Sequence, residues 1–105
     1  DTDWGQIVAL YDLLHDLRPN AVVALNRAVA VGELRGADAG LAALGELDAD
    51  ALRDYQPFHA ARADLLARAG RADEALAAYD EARERTTNPA ERRFLVEQRH
   101  RATGA

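Results

Sequence analysis

Apolar residues recur at three- and four-residue spacing along nearly the whole chain, and every such segment reads as an amphipathic helix. Trp4, Ile7, Leu10, Tyr11, Leu14 and Leu17 form the first stripe. Asp3 precedes it as a helix cap, with Gln6 three residues on in a capping-box sense. Pro19 follows Arg18, and the residue before a proline resists the helical well, so this helix ends near 18. Pro19-Asn20 turns the chain into a second helix, 21 to about 34. Its run Ala21 to Val31 is apolar on all sides except at Asn26 and Arg27, the pattern of a helix buried over most of its circumference. Gly36 ends it, and a shorter helix over 38–47 carries Leu41, Leu44 and Leu47 on one face. Residues 48–54 read as a polar link. A further helix runs from about Pro57 to Ala69, with proline in the first turn and Gly70 at the stop. The next spans 73–85, and Thr86-Thr87-Asn88-Pro89 breaks the chain. Asn88 then caps the last helix, 89–101, with Pro89 at its first position and Glu91 closing the box. That helix is expected to bury Phe94 and Leu95 and to expose its arginines. Nowhere does period-two alternation occur between turn signals, so no strand is predicted. The fold class is all-α, about six helices with short links and hence antiparallel neighbours.

The chain also repeats itself. Gly70-Arg71-Ala72-Asp73-Glu74-Ala75-Leu76-Ala77-Ala78-Tyr79 echoes Gly36-Ala37-Asp38-Ala39-Gly40-Leu41-Ala42-Ala43-Leu44 with one residue deleted. The two glycines lie 34 residues apart, the tetratricopeptide period of helix, turn, helix. A clearer repeat covers 56–89, with Ala75, Tyr79 and Ala82 at small, aromatic and small positions of its second helix. A degenerate repeat covers 22–55, with Gly40 in the small position and Leu44 in the aromatic one. Alanine lets two helix backbones approach closely, so enlarging Ala75 or Ala82 to leucine would overpack the pair. Repeats must stack to cover their apolar faces, and atypical ends serve as caps. The helices at 3–18 and 89–101 suit that role. The expectation is a single tetratricopeptide-like domain over 1–105, a short right-handed superhelix whose leading helices form one concave wall.

Composition narrows the chemistry. The chain of 105 residues has no cysteine or methionine, and equally no serine or lysine. Disulfides, thiolate metal sites and cysteine or serine nucleophiles are therefore excluded. Alanine is the commonest residue and every strong base is arginine, a usage that fits a GC-rich genome. With 18 acidic and 13 basic residues the net charge is -5, and the arginines are scattered among carboxylates. Duplex DNA is bound through clustered positive charge, so nucleic-acid binding by this piece alone is not expected. No apolar run is long enough to span a membrane, and the start lacks a basic leader. A chain beginning at Asp1 with no methionine reads as a piece of something longer. His15, His59 and His100 make no His-Glu-x-x-His pair, and no glycine-rich phosphate loop is present. No enzyme, metal or cofactor site is expected.

Binding residues are better candidates. Asn26 and Arg27 interrupt the apolar run of the second helix, where an unpartnered buried guanidinium would be very costly. Arg27 either pairs with a buried carboxylate, for which Asp12, Asp64 and Glu33 are candidates, or faces a groove that receives an acidic group. In a tetratricopeptide register Asn26 falls on a groove position. His59 and Arg62 share one side of the helix at 57–69, and Asp64 can reach Arg68 four residues on. Asp64 and Arg68 also map to groove positions, though they read equally as a solvated ion pair. The partner-binding groove is therefore assigned to Asn26, Arg27, His59, Arg62, Asp64 and Arg68. Arg92, Arg93, Arg99 and Arg101 make the C-terminal end locally basic.

Taken together, these stretches resemble the C-terminal extension of one group of extracytoplasmic-function (ECF) RNA polymerase sigma factors. The resemblance is carried by Asp3-Trp4, Gln6-Ile7, Leu10-Tyr11-Asp12, Pro19 and the run Val22 to Ala30. It continues through His59 to Leu66, Gly70-Arg71, Asn88-Pro89 and Glu91 to Leu95. It spans nearly the entire chain. The family typically has serine after the first proline, here Asn20, and often histidine after the tyrosine, here Gln56. The resemblance implies a bacterial cytoplasmic regulatory module without cofactor. Its partners would be the sigma core or the polymerase, with DNA touched only by upstream domains. A small-molecule sensor lying between the helices at 3–18, 21–34 and 57–69, and a purely structural folding cap, remain as rival expectations.

Overall fold

The computed structural model describes residues 2–104, which hold seven α-helices and no strand. They divide into two compact units, the first ending at Leu52 and the second beginning at Arg53.

The first unit begins with α1 (Trp4–Leu17), capped by the Asp3 carboxylate, which accepts the Gln6 N–H at 3.1 Å. Helix α2 (Ala21–Arg35) is capped by Asn20, whose side-chain oxygen accepts from Val22 at 2.8 Å and Val23 at 3.2 Å. Asparagine and serine serve this position about equally well, so Asn20 preserves the cap. Gly36 sits at φ 101°, a backbone conformation that side chains resist, and it joins α2 directly to α3 (Ala37–Gly45). Helix α2 packs between α1 and α3. Val8, Ala30 and Val31 form a core here, flanked by Trp4, Ile7, Tyr11, Ala39 and Ala43. Leu25, Ala28 and Leu44 are also buried. The segment expected to be a plain polar link contains one further turn, α4 (Ala49–Leu52), so there are seven helices rather than six. Asp48 caps it by accepting from Asp50 and Ala51, and Leu52 is buried. Four residues are too few to show a helical period, which is why the pattern did not reveal it.

In the second unit α5 (Gln56–Arg68) packs on α6 (Ala72–Glu84), and both touch α7 (Pro89–Thr103). The α5–α6 turn is a Schellman motif. Arg71 N–H donates to the Leu66 carbonyl at 2.9 Å, Gly70 N–H to Ala67 at 3.1 Å, and Gly70 takes φ 79°. Phe58, Ala63, Leu65, Leu66, Ala75, Ala78, Tyr79, Ala82 and Leu95 are buried. Asn88 caps α7 through Ala90 and Glu91 N–H. Glu91 acts one step removed from the expected capping box: its carboxylate accepts the Thr86 hydroxyl at 2.6 Å. The Thr86 oxygen in turn accepts the Asn88 N–H at 3.2 Å, and Arg92 donates to the Thr86 carbonyl at 3.0 Å. Thr86 is thus a buried polar residue with every group satisfied. Leu95 is buried as expected, but Phe94 is 58% exposed, because α7 uses only one narrow side against α5 and α6 and Phe94 lies beside it.

Candidate partner-binding surfaces

In the first unit α2 carries Asn26 and Arg27 on consecutive positions, 100° apart around the helix. Asn26 is exposed, and its side chain makes no hydrogen bond among the described residues. Arg27 turns toward α1, where its Nε donates to Asp12 Oδ1. Of the three candidate carboxylates, Asp12 is therefore the one it takes. The pair is not buried: the side chains are 32% and 50% exposed, so water still solvates both charges. Such a pair ties two helices together at modest net energy.

Beside it lies an open cleft of about 600 Å³. Asp12, His15 and Asp16 of α1, Ala24 and Arg27 of α2, and Ala43, Glu46, Leu47 and Ala51 around α3 and α4 line it. Alanines leave the space, and exposed Asp16 and Glu46 give its rim an acidic bias around the one guanidinium. Among the described residues, no group of three or more histidines and carboxylates is placed to share a metal ion.

The other four expected groove residues lie on α5 in the second unit. His59 Nε2 lies 2.7 Å from the Arg53 carbonyl, which also accepts from Arg85 Nε at 2.6 Å. Arg85 is steadied in turn by the Glu81 carboxylate at 2.5 Å. The imidazole stacks edge-on against Phe58, with ring centroids 5.2 Å apart. His59 is thus engaged in anchoring the start of α5. Arg62 is exposed, and its charge acts on Glu74. Glu74 is held below the usual carboxylate range, first by its hydrogen bond from Arg71 and then by the charges of Arg71 and Arg62. Asp64 and Arg68 form the expected i,i+4 ion pair at 3.1 Å.

That pair stands over Tyr79 of α6. Burial raises the Tyr79 phenol, the Asp64 carboxylate raises it further, and Arg68 opposes both. A hollow of about 160 Å³ opens here, bounded by Asp64, Tyr79, Phe94, Leu95 and Gln98. Phe94 and Gln98 were not among the expected site residues. Their i,i+4 spacing is visible in the sequence, but the apolar pattern places Phe94 in the core. Arg92 and Arg93 line a shallow depression on α7 with Thr87, Pro89, Val96 and Glu97.

Among the described residues, no helix is long and apolar enough to cross a membrane. No family model matches the chain, and no solved structure matches it. Over 94 residues, 90% of its length, the chain is 43% identical to an uncharacterized protein of Rhizobium meliloti (strain 1021). The chain spans about 22% of the length of that relative.

Proposed function

We propose that this chain is the C-terminal regulatory domain of an ECF RNA polymerase sigma factor, cytoplasmic and non-catalytic. On this reading it folds as tetratricopeptide-like repeats and controls transcription initiation through contacts with the sigma core or the polymerase. One observation carries the repeat reading. Each unit holds a glycine-hinged helical hairpin, α2–α3 at Gly36 and α5–α6 at Gly70, and both hinge glycines have positive φ. The small and large positions match in burial as well: Gly40 and Leu44 in one, Ala75 and Tyr79 in the other. The interaction role is supported by Asn26, a polar side chain left exposed between buried Leu25 and Ala28. The resemblance over Val22 to Ala30 supports the sigma-factor assignment.

The test is a pull-down of the 105 residues against the sigma core and against the polymerase. Binding to either supports the proposal. Asn26→Ala should keep the helical circular dichroism and melting of the wild type while removing transcriptional activity in the longer protein. If Asn26→Ala unfolds the domain, Asn26 is architecture and the groove assignment is wrong. The cleft of about 600 Å³ in the first unit favours a second reading, a sensor of small molecules, since its size suits such ligands. That reading predicts no capture of sigma core or polymerase, and a thermal shift on adding a metabolite that Arg27→Ala abolishes.

A further inference from the structure

Among the described residues of the first unit, nothing packs on the outer face of α1. Its inner side puts Trp4, Ile7, Val8 and Tyr11 into or against the core, and Asp12 turns to Arg27. What remains is a leucine stripe: Leu10 is 54% exposed, Leu13 55%, Leu14 42% and Leu17 75%. Scattered exposed leucines are ordinary, but a contiguous stripe on one helix is the mark of an interaction surface.

The spacing within the stripe says what fits it. Gln6, Leu10, Leu13 and Leu17 recur at alternating intervals of four and three, the seam of a two-helix coiled coil. Ile7 and Leu14 flank that seam on one side, and Ala9 and Asp16 on the other. We propose that this seam pairs with the same seam of a second copy, antiparallel, to form a reversible dimer. In that arrangement Leu10 meets Leu13 of the second copy, and Gln6 meets Leu17. Half-buried Ile7 offers only its outer edge to Leu14 of the second copy, and Asp16 falls opposite Ala9. No charge meets a like charge, although the chain carries a net charge of -5. Antiparallel packing also sets the two helix dipoles in opposition. A parallel pair would instead bring the two Asp3 caps together. The seam offers only one charged flank residue, so it selects an apolar partner rather than an ionic one. At 14 residues α1 is about 21 Å long, which places the interface among small, weak ones. The association is therefore concentration-dependent.

Sedimentation of the 105-residue protein from about 10 μM to about 1 mM tests this, because small interfaces associate in that range. The weight-average mass should rise toward twice the monomer. Leu13→Asp should hold it at the monomer value at every concentration, with unchanged helical circular dichroism, since Leu13 is exposed. The chain has no cysteine, so single-cysteine variants report the register. An oxidised mixture of Leu10→Cys and Leu13→Cys should form the mixed disulfide several-fold more than either variant cross-links with itself. A monomer at the highest concentration overturns the proposal and leaves the stripe to another polypeptide. So does a dimer indifferent to Leu13→Asp, and preferential cross-linking of Leu10→Cys with itself overturns the antiparallel register.

Discussion

Arg27 is the residue whose removal discriminates best between a structural and a binding role. Were it buried with its carboxylate, truncating it would strand a charge and cost about 3–5 kcal/mol. The structure puts both groups partly in water, so the penalty of leaving Asp12 alone is small. In a surface setting of effective dielectric near 20, two charges about 4 Å apart attract by roughly 4 kcal/mol before costs. Desolvation and the entropy of fixing two long side chains offset most of that, leaving about 0.2–1 kcal/mol. A double-mutant cycle of Arg27→Ala and Asp12→Ala should return a coupling in that range. Urea unfolding followed by circular dichroism measures it, with each single variant melting within about 6 °C of the wild type. Raising the salt to about 1 M shortens the screening length to roughly 3 Å and should shrink the coupling further. A coupling above about 2 kcal/mol, or an Arg27→Ala chain that does not fold, would refute the reasoning. If the cycle behaves as expected, Arg27→Ala becomes a clean probe of partner binding, because loss of binding cannot then be blamed on loss of fold.

Ala82 is fully buried where α6 packs into its unit, so Ala82→Leu should overpack and lower stability by about 1–3 kcal/mol in urea unfolding; Ala75→Leu should behave alike. Thr86→Val keeps the shape but removes the hydroxyl that bridges Glu91 and the Asn88 N–H, and should cost about 1.5–3 kcal/mol by the same assay; a cost under about 0.5 kcal/mol would mean that water replaces the hydroxyl at no loss. The Tyr79 phenol is raised in the fold, so its contribution is complete below the unfolded value near 10 and is lost as pH rises from there through the folded value. Tyr79→Phe should therefore flatten the alkaline decline in unfolding midpoint, and an unchanged slope would place the decline elsewhere.

Much of this fold was legible in the linear pattern because the signals that start and stop helices act within a few residues. Asp3, Asn88, Gly36 and Gly70 all stand where the pattern expects them, and each does its work on backbone two to four residues away. Asp64 and Arg68 were equally readable, being one turn apart. Phe94 failed for a different reason. Helix α7 carries Phe94, Leu95 and Val96 in a row, and hydrophobicity alone does not say which of three neighbours turns inward. The answer depends on where α5 and α6 lie against it. In sequence Thr86 signals only a chain break, and its hydrogen bonds to Glu91 and Asn88 depend on the path the backbone takes between α6 and α7.

Residue order was sufficient for the helical class, the caps and the two glycine hinges, since each follows from backbone sterics and periodicity near one position. Folding in three dimensions was needed to choose Asp12 for Arg27 from three carboxylates and to leave Asn26 exposed while Leu25 beside it is buried. It was also needed to turn four leucines of α1 outward. Those outcomes join residues 15 or more positions apart, or separate two faces of equal hydrophobicity. Neither can be read from spacing, because the free energy that decides them lies in contacts between helices.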